Sequence, residues 1–340
     1  MFITGILGNI LVIYVIFYHK NLRSPTNAFL VSLAVSDISL LFVGLPNDLH
    51  IFWQQYPWLF GTSVCKIRAM VSEMTSNSSV LTIVAFTIER YIAICHPLQS
   101  YKISSLSRSN KLITYIWIVS ILASIPYAYF TQIHYMKNPH SNQNIMGSAF
   151  CSAVNMPRYI FELSLLFFFL IPMIIMLALY SLMGSKMRKK NNELGSNLTE
   201  SVQSQQKRSV FKMLAAVVIA FFICWAPFHT QRLLYVVHYS YWKIMSDGLY
   251  QQINEKLFYI TGCFYYVSST VNPVLYNLLS VKFRNAFRQT LCGRKAERLS
   301  QRNTTCSQNS FVMRKPTSDS LPKNYLKTIR EVDVSGRRGS

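Results

Sequence analysis

Seven stretches of this sequence are long apolar runs, near positions 2–19, 26–49, 64–95, 111–131, 159–186, 208–238 and 256–280. About 20 such residues in a row cross the hydrocarbon core of a bilayer as a helix, because a helix satisfies every backbone N–H and C=O internally. Composition points the same way. Of 340 residues, 51% are hydrophobic and 14% charged, whereas roughly 25% are charged in a soluble domain that must clothe its surface in polar groups. The expectation is an all-α membrane protein built as a seven-transmembrane helix bundle.

The net charge of +21 raises nucleic acid as a partner, and its placement argues against it. Lys20 and Arg23 follow span 1, and Lys102, Arg108 and Lys111 separate spans 3 and 4. Lys186, Arg188, Lys189, Lys190, Lys207 and Arg208 separate spans 5 and 6, and the tail after span 7 is also basic. These alternate loops share one side, which the positive-inside rule makes cytoplasmic. The opposite loops hold few cations, chiefly Lys137, Arg158 and Lys243. An odd number of spans then puts the N-terminus outside and the C-terminus inside the plasma membrane. Anionic lipid is a secondary partner of the basic loops.

The seven cysteines include no C-x-x-C pair, so no metal cluster is indicated. Cys65 and Cys151 are the two in outer positions with plausible loop reach, where the environment is oxidising. A disulfide should tie the top of span 3 to the long second outer loop, roughly 132–157. Cys95, Cys224 and Cys263 read as packed membrane residues. Beyond span 7, positions 281–291 set Phe283, Phe287 and Leu291 four apart, with Lys282, Arg284 and Arg288 on other faces. That pattern predicts a short amphipathic eighth helix on the inner leaflet. Cys292 directly after it is a candidate for palmitoylation. The folded domain is then 1–292, and 293–340 a disordered cytoplasmic tail; 187–206 reads as a flexible loop. About 17 apolar residues precede His19 and Lys20, roughly 26 Å of helix against a core of about 30 Å. Span 1 is therefore expected to be truncated at its N-terminus, which leaves a signalling-defective isoform as an open alternative.

Some polar residues lie at bilayer depth, where a charge is costly and marks function by default. Asp37 is in mid-span 2, Asn9 in span 1, Ser79 in span 3, and Ser268, Ser269 and Asn272 in span 7. Facing one interior, they would line a pocket for a proton, waters or a sodium ion near Asp37. The alternative is a hydrogen-bonded polar core without an ion. No other cofactor is indicated.

A set of motifs now falls into order, one per span: Gly8-Asn9, Leu33-Ala34-Val35-Ser36-Asp37, Glu89-Arg90-Tyr91, Trp117, Pro172 with Tyr180, Phe221-x-x-Cys224-Trp225-x-Pro227, and Asn272-Pro273-Val274-Leu275-Tyr276. Together they resemble the rhodopsin-like G-protein-coupled receptors over residues 1–292. The physics suits a switch. Pro227 and Pro273 remove helix hydrogen bonds, so spans 6 and 7 bend there at low cost. Trp225 packs against Phe221, one turn inward from where a ligand would sit. Arg90 at the inner end of span 3 can pair with Glu89, or be freed to meet Tyr180, Tyr276 or a partner's carbonyls; a snorkelling interface arginine is the plainer alternative. The resemblance implies a heterotrimeric G protein as that partner, with arrestin as a further one. A transporter or channel would need a chain of charges or inverted repeats with broken helices. An enzyme would need a nucleophile–base pair or metal cluster at depth. Neither pattern is present.

The resemblance also narrows the ligand. Retinal-binding relatives carry a Lys where Tyr266 stands, and amine receptors an Asp where Ser72 stands. Here Glu73, Arg232 and Asp48 bring charge to the outer halves, with Trp58, Phe228, His229, Tyr235 and Tyr265 around them. Glu73 and Arg232 could pair merely to shape the pocket. Otherwise the carboxylates receive an arginine of the ligand while Arg232 meets an acceptor. Glu73 with Arg232, Trp58-Leu59-Phe60-Gly61 and the run from Cys224 to Arg232 look like the neuromedin U, ghrelin and neurotensin receptor group. The likeness is closest to neuromedin U receptors and their arthropod counterparts for pyrokinin and CAPA peptides. It implies an extracellular amidated peptide ending in Pro-Arg-X, and signalling through Gq and calcium. Another peptide of the ghrelin/neurotensin group is the alternative.

Many members of this family place an acid near the inner end of span 6 that clasps the arginine of span 3. Here the stretch reads Gln205-Gln206-Lys207-Arg208. The missing clasp predicts signalling without ligand: second-messenger output above that of mock-transfected cells at matched surface expression. Output at the mock level would refute it.

Overall fold

The computed structural model describes residues 1–54, 56–103, 105–138, 140–153, 155–193, 198–243, 245–279 and 281–292. For 102–103, 190–193, 198–210, 213–214, 277–279, 281–282 and 292 it describes the backbone alone. Inter-residue contacts divide the chain into Met1–Phe287 and Arg288–Ser340. The tail expected at 293–340 lies outside the described residues, as do the side chains of Cys292 and of Gln205 to Arg208.

Span 1 is helix α1, Phe2–Tyr18, 17 residues long. Span 2 is two helices, α2 (Pro25–Val43) and α3 (Leu45–Trp53). Span 3 is α4 (Gly61–Cys95), followed by the short α5 (Pro97–Ile103) and by span 4, α6 (Leu106–Phe130). Span 5 runs from α7 (Arg158–Leu165) through a π-helical turn, Leu166–Leu170, into α8 (Ile171–Glu193). Span 6 is α9 (Leu198–Val236), ending in a second π-helical turn, Val237–Tyr241. Span 7 is α10 (Asp247–Leu279), and the eighth helix is α11 (Val281–Cys292).

Five of these segments are both long and apolar enough to cross a membrane: Pro25–Trp53, Gly61–Cys95, Leu106–Phe130, Arg158–Lys189 and Ala215–Tyr241. Helix α1 is shorter. Helix α10 has 33 residues but carries Asp247, Glu255 and Lys256 in its first turns and Ser268, Ser269, Thr270 and Asn272 further along. These polar residues lower its apolarity without shortening it: Ser268 and Thr270 donate to carbonyls of their own helix, and Asn272 donates to Asp37 on span 2.

Local signals explain the ends and bends. Ser24 Oγ accepts the Asn27 N–H ahead of Pro25 in the first turn of α2, and Ser105 Oγ does the same for Arg108 at the start of α6, as helix caps do. Span 2 is divided at Gly44, just before Pro46 in the first turn of α3, because proline has no N–H for the ladder. A Cβ on Gly44 would stand 2.8 Å from the Tyr266 hydroxyl and 2.9 Å from the Leu40 carbonyl oxygen. Only glycine lets span 7 come so close.

Polar side chains stitch the spans in pairs. Trp117 Nε1 donates to Ser32 Oγ (3.0 Å), and Ser36 and Ser79 share a hydrogen bond of 2.9 Å. Asn9 Nδ2 donates to the Ser269 carbonyl at 2.9 Å. Beyond the end of span 4, strands β1 (Thr131–His134) and β2 (Phe150–Ala153) form an antiparallel hairpin with Ile133 opposite Cys151. A Cys65–Cys151 disulfide ties that hairpin to the top of α4. In α11, Phe283 and Phe287 are buried with their tilted rings 6.3 Å apart, while Leu291 is exposed.

Replacing Gly44 by Ala should lower the stability of the detergent-solubilised protein by about 1–3 kcal/mol, the usual cost of overpacking. Thermal unfolding reads this directly. An unchanged midpoint would mean that Tyr266 swings aside freely.

Candidate functional site

Behind the hairpin lies a cavity of about 720 Å³. Spans 2 to 7 all contribute to its wall, with Asp48, Ser72, Glu73, Phe228, Arg232 and Tyr265 among the lining residues. Glu73 on α4 and Arg232 on α9 form a two-pronged ion pair: Nη2 meets Oε1, and Nη1 lies 3.3 Å from Oε2. The side chains keep only 10% and 21% of their exposure. Two such charges are tolerable there because the fork of a guanidinium matches a carboxylate and aromatic faces cover what remains. The guanidinium stands 4.2 Å from the Phe228 ring centre, 5.4 Å from Tyr127 and 5.7 Å from Phe161.

A second acid shares the cavity. Asp48 lies 3.6 Å from Arg68 Nη1 and accepts hydrogen bonds from Tyr266 (2.6 Å) and Asn47 (2.9 Å). Tyr265 joins the floor, its hydroxyl donating to the Ser72 carbonyl at 3.2 Å and lying 2.6 Å from Ser76 Oγ. Two residues expected here stand elsewhere. His229 turns away from the cavity wall and packs its ring 4.7 Å from Phe169, since position 229 falls on the side of α9 that faces span 5. Tyr235 is largely exposed, edge-on to Phe161 at 6.0 Å. Trp58 is structural: its Nε1 donates to the Gly61 carbonyl and its backbone N–H to Ala149 in the loop over the cavity.

Sequence reasoning missed Arg68, Tyr127, Phe161, Gln231 and Tyr266. Arg68 was within reach, because it stands four before Ser72 on one helix face, and Asp48 lacked a cation. The aromatic partners of Arg232 carry no local signal; their pairing is tertiary. Gln231 is held by span 7 on both sides, donating to Asn254 Oδ1 at 3.1 Å and accepting from Thr261 at 3.0 Å. At the outer rim the hydrogen bond from the Lys243 ammonium (2.6 Å) holds the Asp247 carboxyl below its ordinary range, and His238 Nε2 lies 3.2 Å from the same group.

From the floor an aromatic relay leads inward. Tyr265 stacks on Phe228 (5.1 Å) and meets Trp225 edge-on (5.2 Å), and Trp225 lies 5.7 Å from Phe221. Pro172, Pro227 and Pro273 lie within α8, α9 and α10 of this region. Below Trp225 is a cavity of about 10 Å³ lined by Asp37, Ser79, Ser268 and Asn272, room for a single water or small ion. Asn272 Nδ2 donates to Asp37 at 2.9 Å. Asn9 is not on that wall; its amide is engaged by the Gly5 and Ser269 carbonyls.

At the other end of the bundle Arg90 hydrogen-bonds Thr26 Oγ1 and lies 3.7 Å from Glu89 Oε1. Tyr91 reaches His96, 3.5 Å away. No hydrogen bond joins Arg90 to Tyr180 or Tyr276 among the described residues, and both tyrosines keep their side chains against the bundle. No group of three or more His, Cys, Asp or Glu side chains gathers as metal ligands among the described residues.

A ligand-sized outer cavity, a proline-jointed aromatic relay and a restrained arginine at the opposite end describe a receptor that carries a signal through a membrane. Residues 8–276 match the family described as 7 transmembrane receptor (rhodopsin family), and the chain belongs to that family. It is a multi-pass membrane receptor and not an enzyme. Among relatives it resembles neuromedin-U receptor 1 of Homo sapiens, 37% identical over 328 residues covering 90% of this chain and 75% of the relative. Neuromedin-U receptor 2 of Rattus norvegicus is 34% identical over 297 residues, 86% of this chain and 73% of the relative. The pyrokinin-1 receptor of Drosophila melanogaster is 32% identical over 378 residues, 96% and 85% respectively.

Removing one partner of the Glu73–Arg232 pair leaves a buried charge without its counter-ion, which costs about 3–5 kcal/mol. Glu73→Leu should therefore lower the unfolding temperature sharply, and adding Arg232→Met should restore most of it. A double variant no more stable than the single one would show that the pair itself is a net source of stability.

Proposed function

We propose that this receptor takes an extracellular amidated peptide bearing an arginine near its C-terminus, of the kind that neuromedin U and pyrokinin receptors are named for. The observation that carries the reading is the cavity of about 720 Å³ with Glu73 and Asp48 on its wall. Each acid is paired with an arginine of the receptor, Arg232 and Arg68. An incoming guanidinium takes over one carboxylate, and the displaced receptor arginine turns to the peptide's carbonyls or amide. Exchange of partners keeps both desolvated charges compensated throughout. Arg232 also lies on Phe228, which stacks on Tyr265 against Trp225, so the exchange pulls directly on the relay in span 6.

The downstream reading follows from the same frame. The cytoplasmic side is the one with the basic loops, so the N-terminus is outside and the G protein, of the Gq class and acting through calcium, meets Glu89, Arg90 and Tyr91. The small cavity at Asp37 suits one water or a sodium ion, held by Asp37, Ser79, Ser268 and Asn272. Release of Arg90 from Thr26 and Glu89 is the last step, and it opens the site to the partner.

In cells loaded with a calcium indicator, Glu73→Gln or Arg232→Ala should raise the half-maximal concentration of an amidated peptide ending in Pro-Arg-X by at least about tenfold. That is the effect of losing ~1.4 kcal/mol. A superimposable dose response, at equal surface expression, would remove both residues from the peptide site.

A further inference from the structure

The two arginines on the wall of the large cavity are held very differently. Arg232 makes a two-pronged pair with Glu73 and lies against the rings of Phe228, Tyr127 and Phe161. Arg68 has no such partner. Its Nη1 lies 3.6 Å from Asp48 Oδ1, beyond ordinary hydrogen-bond length. Its Nη2 meets the Cys151 sulfur at 3.8 Å, a weak acceptor, and its Nε is buried with no partner. Among the described residues the guanidinium thus makes no hydrogen bond to an oxygen or nitrogen, although the side chain is only 20% exposed. Idle donors on a partly buried cation are costly unless something else uses them. Asp48 beside it is only partly engaged. It accepts from Tyr266 through Oδ2 and from Asn47 through Oδ1, and a carboxylate has about four lone-pair sites. Idle donors and spare acceptor capacity therefore stand side by side on the cavity wall.

A primary carboxamide fits that arrangement. Its carbonyl oxygen and one N–H lie along a single edge, so one planar group can accept from Arg68 and donate to Asp48. A peptide bond in mid-chain cannot, because in the trans form its C=O and N–H point to opposite sides. A free carboxylate offers acceptors alone and sets its own charge against Asp48. We propose that Arg68 and Asp48 read the terminal carboxamide of the peptide and reject the free acid, which makes them specificity-determining residues of this site. Given the peptide reading above, on which this rests, the two acids have separate tasks: Glu73 receives the guanidinium of the ligand and Asp48 the N–H of its amide. Tyr266 is then a positioning residue, since its hydrogen bond of 2.6 Å fixes the Asp48 carboxylate. An asparagine side chain carries the same primary amide and is the one other source within such a peptide.

The test is competition binding on the full chain in membranes, with a fluorescent amidated peptide ending in Pro-Arg-Leu as tracer. Unlabelled peptides of that sequence compete as the primary amide, the N-methylamide or the free acid. The primary amide should bind at least about tenfold tighter than the N-methylamide, although both ends are neutral, and tighter still than the acid. Asp48→Asn removes the charge that repels the acid, so the amide-to-acid ratio should fall by at least about tenfold. Arg68→Ala should weaken the primary amide about tenfold, and Glu73→Gln should weaken all three forms alike. Each ratio is read on one preparation, so a loss of folded protein does not imitate the effect. Equal binding of the amide and the N-methylamide, or a ratio that Asp48→Asn leaves unchanged, overturns the proposal while the peptide reading stands. A tracer that does not bind the unaltered chain strikes the peptide reading itself, and the proposal with it. A free acid ending in Pro-Arg-Asn that matches the Pro-Arg-Leu amide overturns the terminal assignment in favour of a side-chain amide.

Discussion

Hydrocarbon offers no partner to a peptide N–H or a carbonyl, and every part of this structure follows from that. The backbone closes its own hydrogen bonds in helices, which leaves the side chains to decide how the helices stand against each other. Here the deciding groups are hydroxyls and amides turned inward: Trp117 to Ser32, Ser36 to Ser79, Asn9 to Ser269, Asn272 to Asp37. Each is worth only about 0.6 kcal/mol on average between membrane helices. Their sum is modest as stability. As a specification of which helix faces which, and at what depth, it is decisive, because a slipped helix leaves several such groups without partners.

The same rule concentrates function. The two acids of the large cavity each hold an arginine, the arginine at the opposite end is held by Thr26 and Glu89, and Asp37 between them accepts from the Asn272 amide. Paired charges have two acceptable arrangements once a third charged group arrives. Between them, Phe228, Tyr265, Trp225 and Phe221 touch in sequence, and dense packing passes displacement along rather than absorbing it. The proline at 227 gives span 6 a joint at the level of this relay.

Much of the fold was legible in the sequence because the bilayer reduces the problem to one dimension. Apolar length gave spans 2 to 6, and one motif per span gave the family. Span 7 was harder, since its polar residues dilute its apolar signal. The Cys65–Cys151 bridge was readable from loop reach. Of the site, the Glu73–Arg232 pair was readable because two charges so far from water need each other. Tyr127 and Phe161 were not, because an aromatic ring in a span looks the same whether it faces lipid or a guanidinium. His229 and Tyr235 were misplaced for a related reason: both lie near Arg232 in sequence, but a helix turns 100° per residue. Position 229 is carried to the span 5 side and position 235 to the outside.

The hairpin over the cavity is bonded to the top of span 3 through Cys151 and anchored again where Trp58 meets Ala149. A roof fastened at two points does not lift to admit a guest and close behind it. A ligand must pass a fixed rim on its way in and leave by the same route backwards. For such a binding site the time a ligand stays bound, more than the speed of its arrival, becomes the property that rim substitutions tune. Selection on the loop would then act on how long each signal lasts.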